Sequence, residues 1–545
     1  MRTIQKSAWV LAAVSGVLQV LIFPLPNLYF LCWIAYAPLL VALLRTRRNE
    51  TVLLPESLAQ GSDLTCATPI QGFVLAWVSG IVATAGSCFW MFHAMHQYGG
   101  LDFATSLGLL VLFCLWIGSN IGLFGIVFAC VAGAGHDKKS SSVQRALLAA
   151  PFLWIAVELI RARVLGFPWN LLGNAQVDNI PLTRIATVTG VYGVSFEIML
   201  VNCAFAAAMV VRRPQRKLMY ASAIAAALIV QLSVFIRPPQ LVATETARLV
   251  QANIPIREQW TRPEFDALIE AMRQDSVPSQ SNLMPGEPVP SIIVWPESPA
   301  PFFVDDPSFR QAVGEIARKS NAYVIVGSVG TSNVSQMGRP QDIFNSAALV
   351  SPTGEWVARY DKVHLVPFGE YVPFSKVFSF AQKLTKEVGN FVPGTRRSVF
   401  DTGSYKVGVF ICYESAFPSE VRQFAANGGT VLATISNDGW FGYYGAPEQH
   451  LNTARMRAIE NNRWLLRATN TGITASVDPF GRIIATAPRD VRTTLDAPFS
   501  VVTDTTFYTR HGDWFAYLCA IISLVALSLG VRTRISKKPQ PQAAE

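Results

Sequence analysis

Apolar residues run nearly unbroken for stretches close to the roughly 20 positions needed to cross a bilayer's hydrocarbon core. Such runs occupy residues 8–23, 28–44, 72–92, 107–132, 146–160, 182–211, 218–236 and 514–531. Between the seventh and the last, the pattern changes. Short apolar runs of strand length at 247–254, 291–295, 322–327, 346–350, 406–411, 430–435, 464–468 and 473–477 are interspersed with helical segments. In these segments, 263–273, 307–319, 418–427 and 447–461, apolar residues recur every three or four positions. Each has Pro near its start, and Gly428 lies just past the end of the third. The pattern predicts an α-helical membrane bundle at 1–236, an α/β domain at 237–513, and an eighth helix with a cytoplasmic tail at 514–545. The Ser-, Pro- and Gln-rich stretch 274–290 reads as an exposed insertion, and 538–545 as a disordered polar tail.

Composition agrees with a membrane protein. The chain is 51% hydrophobic and 15% charged, with a mean hydropathy of +0.32, too apolar for an ordinary soluble enzyme. A net charge of +9 in a soluble protein would point to nucleic acid. Here the cations cluster at alternate ends of the apolar runs: Arg45, Arg47 and Arg48; Lys138, Lys139 and Arg145; Arg212, Arg213, Arg216 and Lys217; Arg532, Arg534, Lys537 and Lys538. The opposite connection 93–102 has no Lys or Arg, although Arg161 and Arg163 break the alternation. Positive residues favour the cytoplasmic side, so the α/β domain is expected outside the cytoplasm, with no nucleic-acid partner. Arg2 and Lys6 precede the first run as in a secretory signal, but further spans follow and no cleavage site closes it, so a retained helix is expected. Glu158 and Glu197 fall in or beside spans, where acids are functional candidates or helix-packing partners.

Of eight cysteines, only Cys412 lies between Arg237 and Asp513. It follows the apolar run Val407–Ile411, at a strand-to-loop turn of the kind that presents nucleophiles. An oxidising compartment penalises stray thiols, so a lone retained one is a candidate for chemistry, although a small core hydrophobe is the competing account. Glu297 and Lys362 occupy two further strand exits, after Trp295-Pro296 and Tyr360-Asp361. Taken singly, each is an ordinary surface charge. A carboxylate, an ammonium and a thiol at three strand ends converge on one edge of a sheet and suggest covalent acyl chemistry. The six histidines show no metal-ligand spacing, and no cofactor or metal is expected.

Trp295-Pro296-Glu297, Tyr360-Asp361-Lys362 and Ile411-Cys412-Tyr413-Glu414 resemble the Glu-Lys-Cys signature of the nitrilase (carbon-nitrogen hydrolase) superfamily over residues 247–502. Seven preceding spans, one following span, Gly166-Phe167-Pro168-Trp169-Asn170, the segment 361–373 and Ser436-Asn437-Asp438-Gly439-Trp440-Phe441-Gly442 resemble the bacterial apolipoprotein N-acyltransferases over nearly the whole chain. That resemblance implies a four-layer αββα sandwich in the periplasm, carried on an inner-membrane bundle. It further implies phospholipid as acyl donor, phosphatidylethanolamine being the expected one, and a diacylglyceryl apolipoprotein as acceptor. By the same resemblance Glu370 and Glu414 support Lys362 and the nucleophile, Tyr413 flanks the thiol, and Trp260 contacts substrate.

The residues suggest how such chemistry would run. A thiol with a pKa near 8.5 needs a base, for which Glu297 is the candidate; Lys362 and a backbone N–H near Cys412 would stabilise the oxyanion. The product is an acyl thioester, and attack by an α-amino group closes the cycle. Trp440, Phe441, Tyr443 and Tyr444 are candidates for a lid that excludes water, and the Phe-rich stretch 365–393 for an arm on the membrane surface, core packing being the alternative to each. Two other functions remain open: a membrane-anchored amidase or nitrilase acting on small amides, and a transporter with a ligand-binding outer domain. Eight spans exceed what a tether needs, and the intact Glu-Lys-Cys set argues against the transporter.

Overall fold

The computed structural model describes residues 4–45, 66–133, 140–210, 213–256, 260–277, 289–297, 300, 302–332, 342–371 and 391–535. Backbone contacts divide the chain into two compact units, one of residues 1–89, 107–236 and 513–545, the other of 90–106 and 237–512. The expected insertion and the tail fall largely or wholly outside the described residues.

Among the described residues, six helices are long and apolar enough to cross a membrane, all in the first unit save the first turn of the second: Pro69–Ser87, Phe103–Val131, Val143–Arg163, Val191–Val210, Lys217–Phe235 and Trp514–Val531. The remaining two expected spans fall short of that length. The first is the 16-residue helix Lys6–Leu21, ending ahead of Pro24 and Pro26. The second is broken into a 3-10 turn, Tyr29–Trp33, and the helix Ala37–Leu44. Asn202 holds that break: its side-chain oxygen accepts from the Tyr36 and Ala37 amides, and its Nδ2 donates to the Cys32 carbonyl. Where apolar surface alone gives no preference for one neighbour over lipid, small residues let backbones approach. A Cβ on Gly72 would lie 2.4 Å from the Gly125 carbonyl oxygen, so neither position tolerates a side chain. Glu158 is buried and accepts from the Leu172 amide, whereas Glu197 is only partly buried. Both arginines that break the charge alternation are engaged, Arg163 with Asp513 at 2.6 Å and Arg161 with the Asn170 carbonyl.

Among its described residues, the second unit contains two six-stranded sheets. The strands are β1 (Glu245–Gln251), β2 (Ile292–Val294), β3 (Tyr323–Thr331), β4 (Ile343–Val350), β5 (Trp356–Asp361), β6 (Val399–Asp401), β7 (Lys406–Ile411), β8 (Val431–Ser436), β9 (Leu465–Thr469), β10 (Ala475–Val477), β11 (Ile483–Thr486) and β12 (Thr493–Phe499). One sheet has the order β12-β1-β2-β3-β4-β5, the other β11-β10-β9-β8-β7-β6. Each has a parallel trio, β1-β2-β3 and β7-β8-β9, and antiparallel neighbours elsewhere. Parallel neighbours need crossovers, which helices Arg262–Ser276, Pro307–Ser320, Pro418–Ala426 and Ala446–Asn461 supply.

Alternation along the strands builds the layers. Leu249, Val294, Ile325 and Leu349 of one sheet share a buried cluster with Val407, Val409 and Ile435 of the other. The intervening residues Val250, Ile293, Val324 and Val326 pack outward on Phe265, Phe309, Val313 and Ile316 of the helices. All eight expected strand runs form strands or parts of them. Strands β5, β6, β11 and β12 were not among those runs: β5 carries Arg359 and Asp361, β6 and β11 are only three and four residues long, and β12 interleaves Thr493, Thr494 and Asp496 with its apolar residues.

Candidate active site

Open α/β sheets place ligands beyond the carboxyl ends of their parallel strands. Glu297 follows β2, Cys412 follows β7 and Asp438 follows β8, while Lys362 follows the antiparallel β5. Lys362 is buried, its Nζ donating to Glu370 Oε1 at 2.8 Å and lying 3.4 Å from Glu297 Oε1. Asn345, inside β4, donates its side-chain N–H groups to Glu297 Oε1 at 2.8 Å and to Glu370 Oε1 at 2.5 Å. The outer oxygens are held by backbone, Glu297 Oε2 by the Asn437 amide and Glu370 Oε2 by the Val366 amide. Burial opposes the charge on Lys362, but Glu370, Glu297 and the Cys412 sulfur outweigh it and raise its pKa.

Cys412 is 7% exposed and sits at φ +49°, a left-handed conformation uncommon for a residue with a Cβ. Burial pushes its thiol up, the Glu297 charge pushes it further, and Lys362 acts in the opposite sense. Ser436, whose hydroxyl donates to Asp438, acts on the thiol in the same sense as Lys362. The resting sulfur therefore carries its proton and has a carboxylate and an ammonium acting on it.

Glu414 ties the two strand exits together. Its Oε1 accepts from the Tyr360 hydroxyl at 2.6 Å and from the Val363 and His364 amides, and its Oε2 accepts from the Ile411 amide at 2.8 Å. One carboxylate thus spans from the chain after Lys362 to the residue before Cys412. Tyr413 packs edge-on against Phe417, which also stacks on His364. Burial, followed by the charges of Lys362 and Arg397, lowers His364 to about 4.

Trp260 lies half-buried against the outer helical core of the first sheet. Trp440 and Phe441 belong to a 3-10 turn, Asp438–Phe441, and their rings, with that of Tyr444 beyond it, meet the segment 90–98: Phe441 with Trp90 at 4.8 Å, Trp440 with Tyr98 at 5.4 Å and Tyr444 with His93 at 5.5 Å. Tyr443 is 72% exposed. Of the Phe-rich stretch, Phe368 is exposed and the Phe391 amide bonds the Glu370 carbonyl. Phe374, Phe378 and Phe380 lie outside the described residues. Among the described residues, no group of three or more His, Cys, Asp or Glu is arranged to hold a metal ion.

A second buried network escaped the sequence reading. His450 Nε2 is 2.9 Å from the Cys412 carbonyl oxygen, and its Nδ1 is 2.9 Å from Asp438 Oδ1. Asp438 also accepts from Arg467 Nη2 at 2.7 Å and from the Ser436 hydroxyl at 2.6 Å. Burial alone would raise Asp438, but Arg467 and then His450 hold it far below the usual carboxylate range. Arg467 inside the apolar run 464–468 was the available signal, since a charge in a buried strand requires a partner.

Residues 246–503 match the carbon-nitrogen hydrolase family profile, and residues 15–204 that of the apolipoprotein N-acyltransferase N-terminal domain. An apolipoprotein N-acyltransferase of Geobacter metallireducens is 33% identical over 97% of this chain and 96% of its own length. That of Bradyrhizobium diazoefficiens is 34% identical over 73% of this chain and 75% of its own. Among solved structures, an amidase of the nitrilase superfamily from Nesterenkonia is 18% identical, with a TM-score of 0.37 over 51% of this chain and 98% of its own.

Proposed function

The chain belongs to the apolipoprotein N-acyltransferase family, and from that premise we propose that its Glu297, Lys362 and Cys412 transfer an acyl chain in two half-reactions of ping-pong type. It is an N-acyltransferase of the carbon-nitrogen hydrolase superfamily acting in lipoprotein maturation. The observation that supports the mechanism is a buried Cys412 at a strand exit, with the Lys362 ammonium and the Glu297 carboxylate, 3.4 Å from each other, both acting on its thiol.

In the first half-reaction Glu297 takes the thiol proton as sulfur attacks the ester carbonyl of a phospholipid, phosphatidylethanolamine being the expected donor. General-base help of this kind contributes on the order of 10² to 10⁴ in rate. Lys362 and a backbone N–H beside Cys412 stabilise the tetrahedral oxyanion. The C–O bond breaks, the departing alkoxide takes the proton from Glu297, and an acyl thioester and a lysophospholipid result. In the second, the α-amino group of a diacylglyceryl-cysteine attacks the thioester, its proton passes through Glu297 to the departing sulfur, and an amide forms. Glu370 and Asn345 fix Lys362 and Glu297, Glu414 fixes the two strand exits, Tyr413 lines the thiol side, Trp260 contacts substrate, and Trp440 belongs to the cover over the site.

The substrates account for the bundle. Each buried CH₂ holds a lipid in the bilayer by about 0.8 kcal/mol, so withdrawing a whole acyl chain into water would cost roughly 10 kcal/mol or more, and the enzyme works where the lipid is. The alternating cations support an inner-membrane bundle with the catalytic unit on the periplasmic side.

The test is the intact mass of the full-length protein after incubation with phosphatidylethanolamine vesicles. An acyl-sized gain that is absent in Cys412→Ser and removed by hydroxylamine supports a lipid-derived thioester. No gain, with small amides hydrolysed instead, would favour an anchored amidase.

A further inference from the structure

We propose that His450 is a positioning residue that aims the oxyanion-binding N–H of Tyr413 by gripping the carbonyl of Cys412, and that Asp438 and Arg467 hold the imidazole in place. The inference rests on the reading of Cys412 as the nucleophile.

The Cys412 carbonyl oxygen can only accept, so the His450 Nε2 that lies 2.9 Å from it carries a proton and donates. In a trans peptide, C=O and the following N–H point in opposite directions across one rigid plane. Fixing the Cys412 carbonyl on one side therefore fixes the Tyr413 N–H on the other. That plane begins at a residue held at φ +49°, and backbone in this region persists only where its surroundings over-determine it.

The surroundings here come from separate elements. His450 stands on the helix Ala446–Asn461, Ser436 ends β8, Asp438 lies in the turn that follows, and Arg467 projects from β9. All four side chains are buried. Asp438 orients the ring from Nδ1 and is itself fixed by Arg467 and Ser436. The backbone is moulded to this carboxylate, since a Cβ on Gly472 would lie 2.2 Å from Asp438 Oδ2. Asp438 and Ser436 also bear on the thiol, in opposite senses, but His450 meets only the carbonyl of Cys412 and so acts on the direction of the peptide after it, while Glu297 takes the proton.

Two reactions of Cys412 separate these roles. Alkylation by iodoacetamide needs the thiolate but forms no oxyanion, whereas acylation by an ester needs both. In full-length protein, His450→Leu should leave the alkylation rate within about threefold and KM for the ester nearly unchanged, while slowing acylation by roughly 10² to 10³, the effect of losing one oxyanion donor. His450→Gln, whose amide N–H can reach the same carbonyl, should recover at least about tenfold of that loss. If His450→Leu does not fold, His450→Asn replaces it, its amide being too short to reach. Acylation is followed with phosphatidylethanolamine vesicles and with a p-nitrophenyl ester.

Equal losses in alkylation and acylation, an unchanged acylation rate, or a Gln variant as slow as Leu would each overturn the proposal. Wild-type acylation by the nitrophenyl ester but not by phospholipid would instead refute the lipid donor, leaving His450 to be judged on the ester. Acylation by neither would sink the reading of Cys412 and the proposal together.

Discussion

Asn345→Asp is the most discriminating change available at the buried cluster. Asn345 presents N–H groups to Glu297 at 2.8 Å and to Glu370 at 2.5 Å, with Lys362 as their ammonium partner. An aspartate there replaces two donors with a third negative group. At charge-centre separations of about 4 Å and an effective dielectric near 20, each new like-charge pair costs about 4 kcal/mol, equivalent to roughly three pH units on a carboxylate. One Lys362 cannot offset this, so the three carboxylates bind a proton near neutrality and Glu297 is no longer reliably available as a base. Loss of general-base help predicts acylation of Cys412 slower by about 10² to 10³ near pH 7 and recovering as pH rises towards 9. The assay is intact-mass acylation of the full-length protein across that range. Asn345→Ala, which removes the donors without adding charge, should shift the profile less. An Asp variant with the wild-type profile, or one displaced to lower pH, would show that Glu297 is not the base.

Other consequences follow from the same geometry. His364, lowered to about 4 from an unfolded value of 6.5, stays neutral in the fold while the unfolded chain takes up its proton, so stability should fall as pH drops from 6.5 towards 4. Thermal melts of His364→Phe should lose that part of the acid sensitivity. Glu414→Gln leaves an amide N–H facing the Ile411 N–H and removes a charge-assisted bond, a loss of about 2–4 kcal/mol that should lower the melting midpoint by roughly 5–10 °C; an unchanged midpoint would show that the staple is not structural. Phe441→Ala deletes ring contacts to Trp90 and His450. It should raise free fatty acid released per acylated peptide if these aromatics exclude water, and leave that ratio unchanged if they only pack.

The parts of the site legible in the sequence were those in which a charge interrupts an apolar run at its end. Glu297, Lys362 and Cys412 each stand just beyond a strand, where exposure to a shared edge is a geometric necessity of the sheet. Asn345 was not legible: it is one amide inside a strand, and its partners stand 48 and 25 residues away. His450 failed for the same reason, since a helical histidine declares nothing until the turn after β8 and the middle of β9 are placed against it. The boundary of the third apolar run failed differently. Hydropathy counts Phe89, Trp90 and Phe92 alike whether they meet lipid or protein rings. In the structure the helix stops at Ser87, and residues 90–106 cluster with the catalytic unit instead.

The cluster around Cys412 also explains why a buried, proton-bearing thiol is useful. Lys362 contributes one positive charge and Glu297 and Glu370 two negative ones, an excess of one negative charge that disfavours a thiolate added to it. Transferring the thiol proton to Glu297 adds none, because an ionised carboxylate becomes neutral as the sulfur becomes negative. The burial penalty is similar before and after, and Lys362 acts on both. On the proposed mechanism, thiolate forms mainly when Glu297 accepts the proton in place, and water, which would hydrolyse the thioester, need not enter to carry it. The second network contributes at the next moment. When charge moves from sulfur to the substrate oxygen, it leaves the Glu-Lys-Glu cluster and comes to the backbone beyond Cys412, whose carbonyl His450 holds. As proposed, the two buried networks divide the step between them, one governing where the proton goes and the other where the electrons arrive.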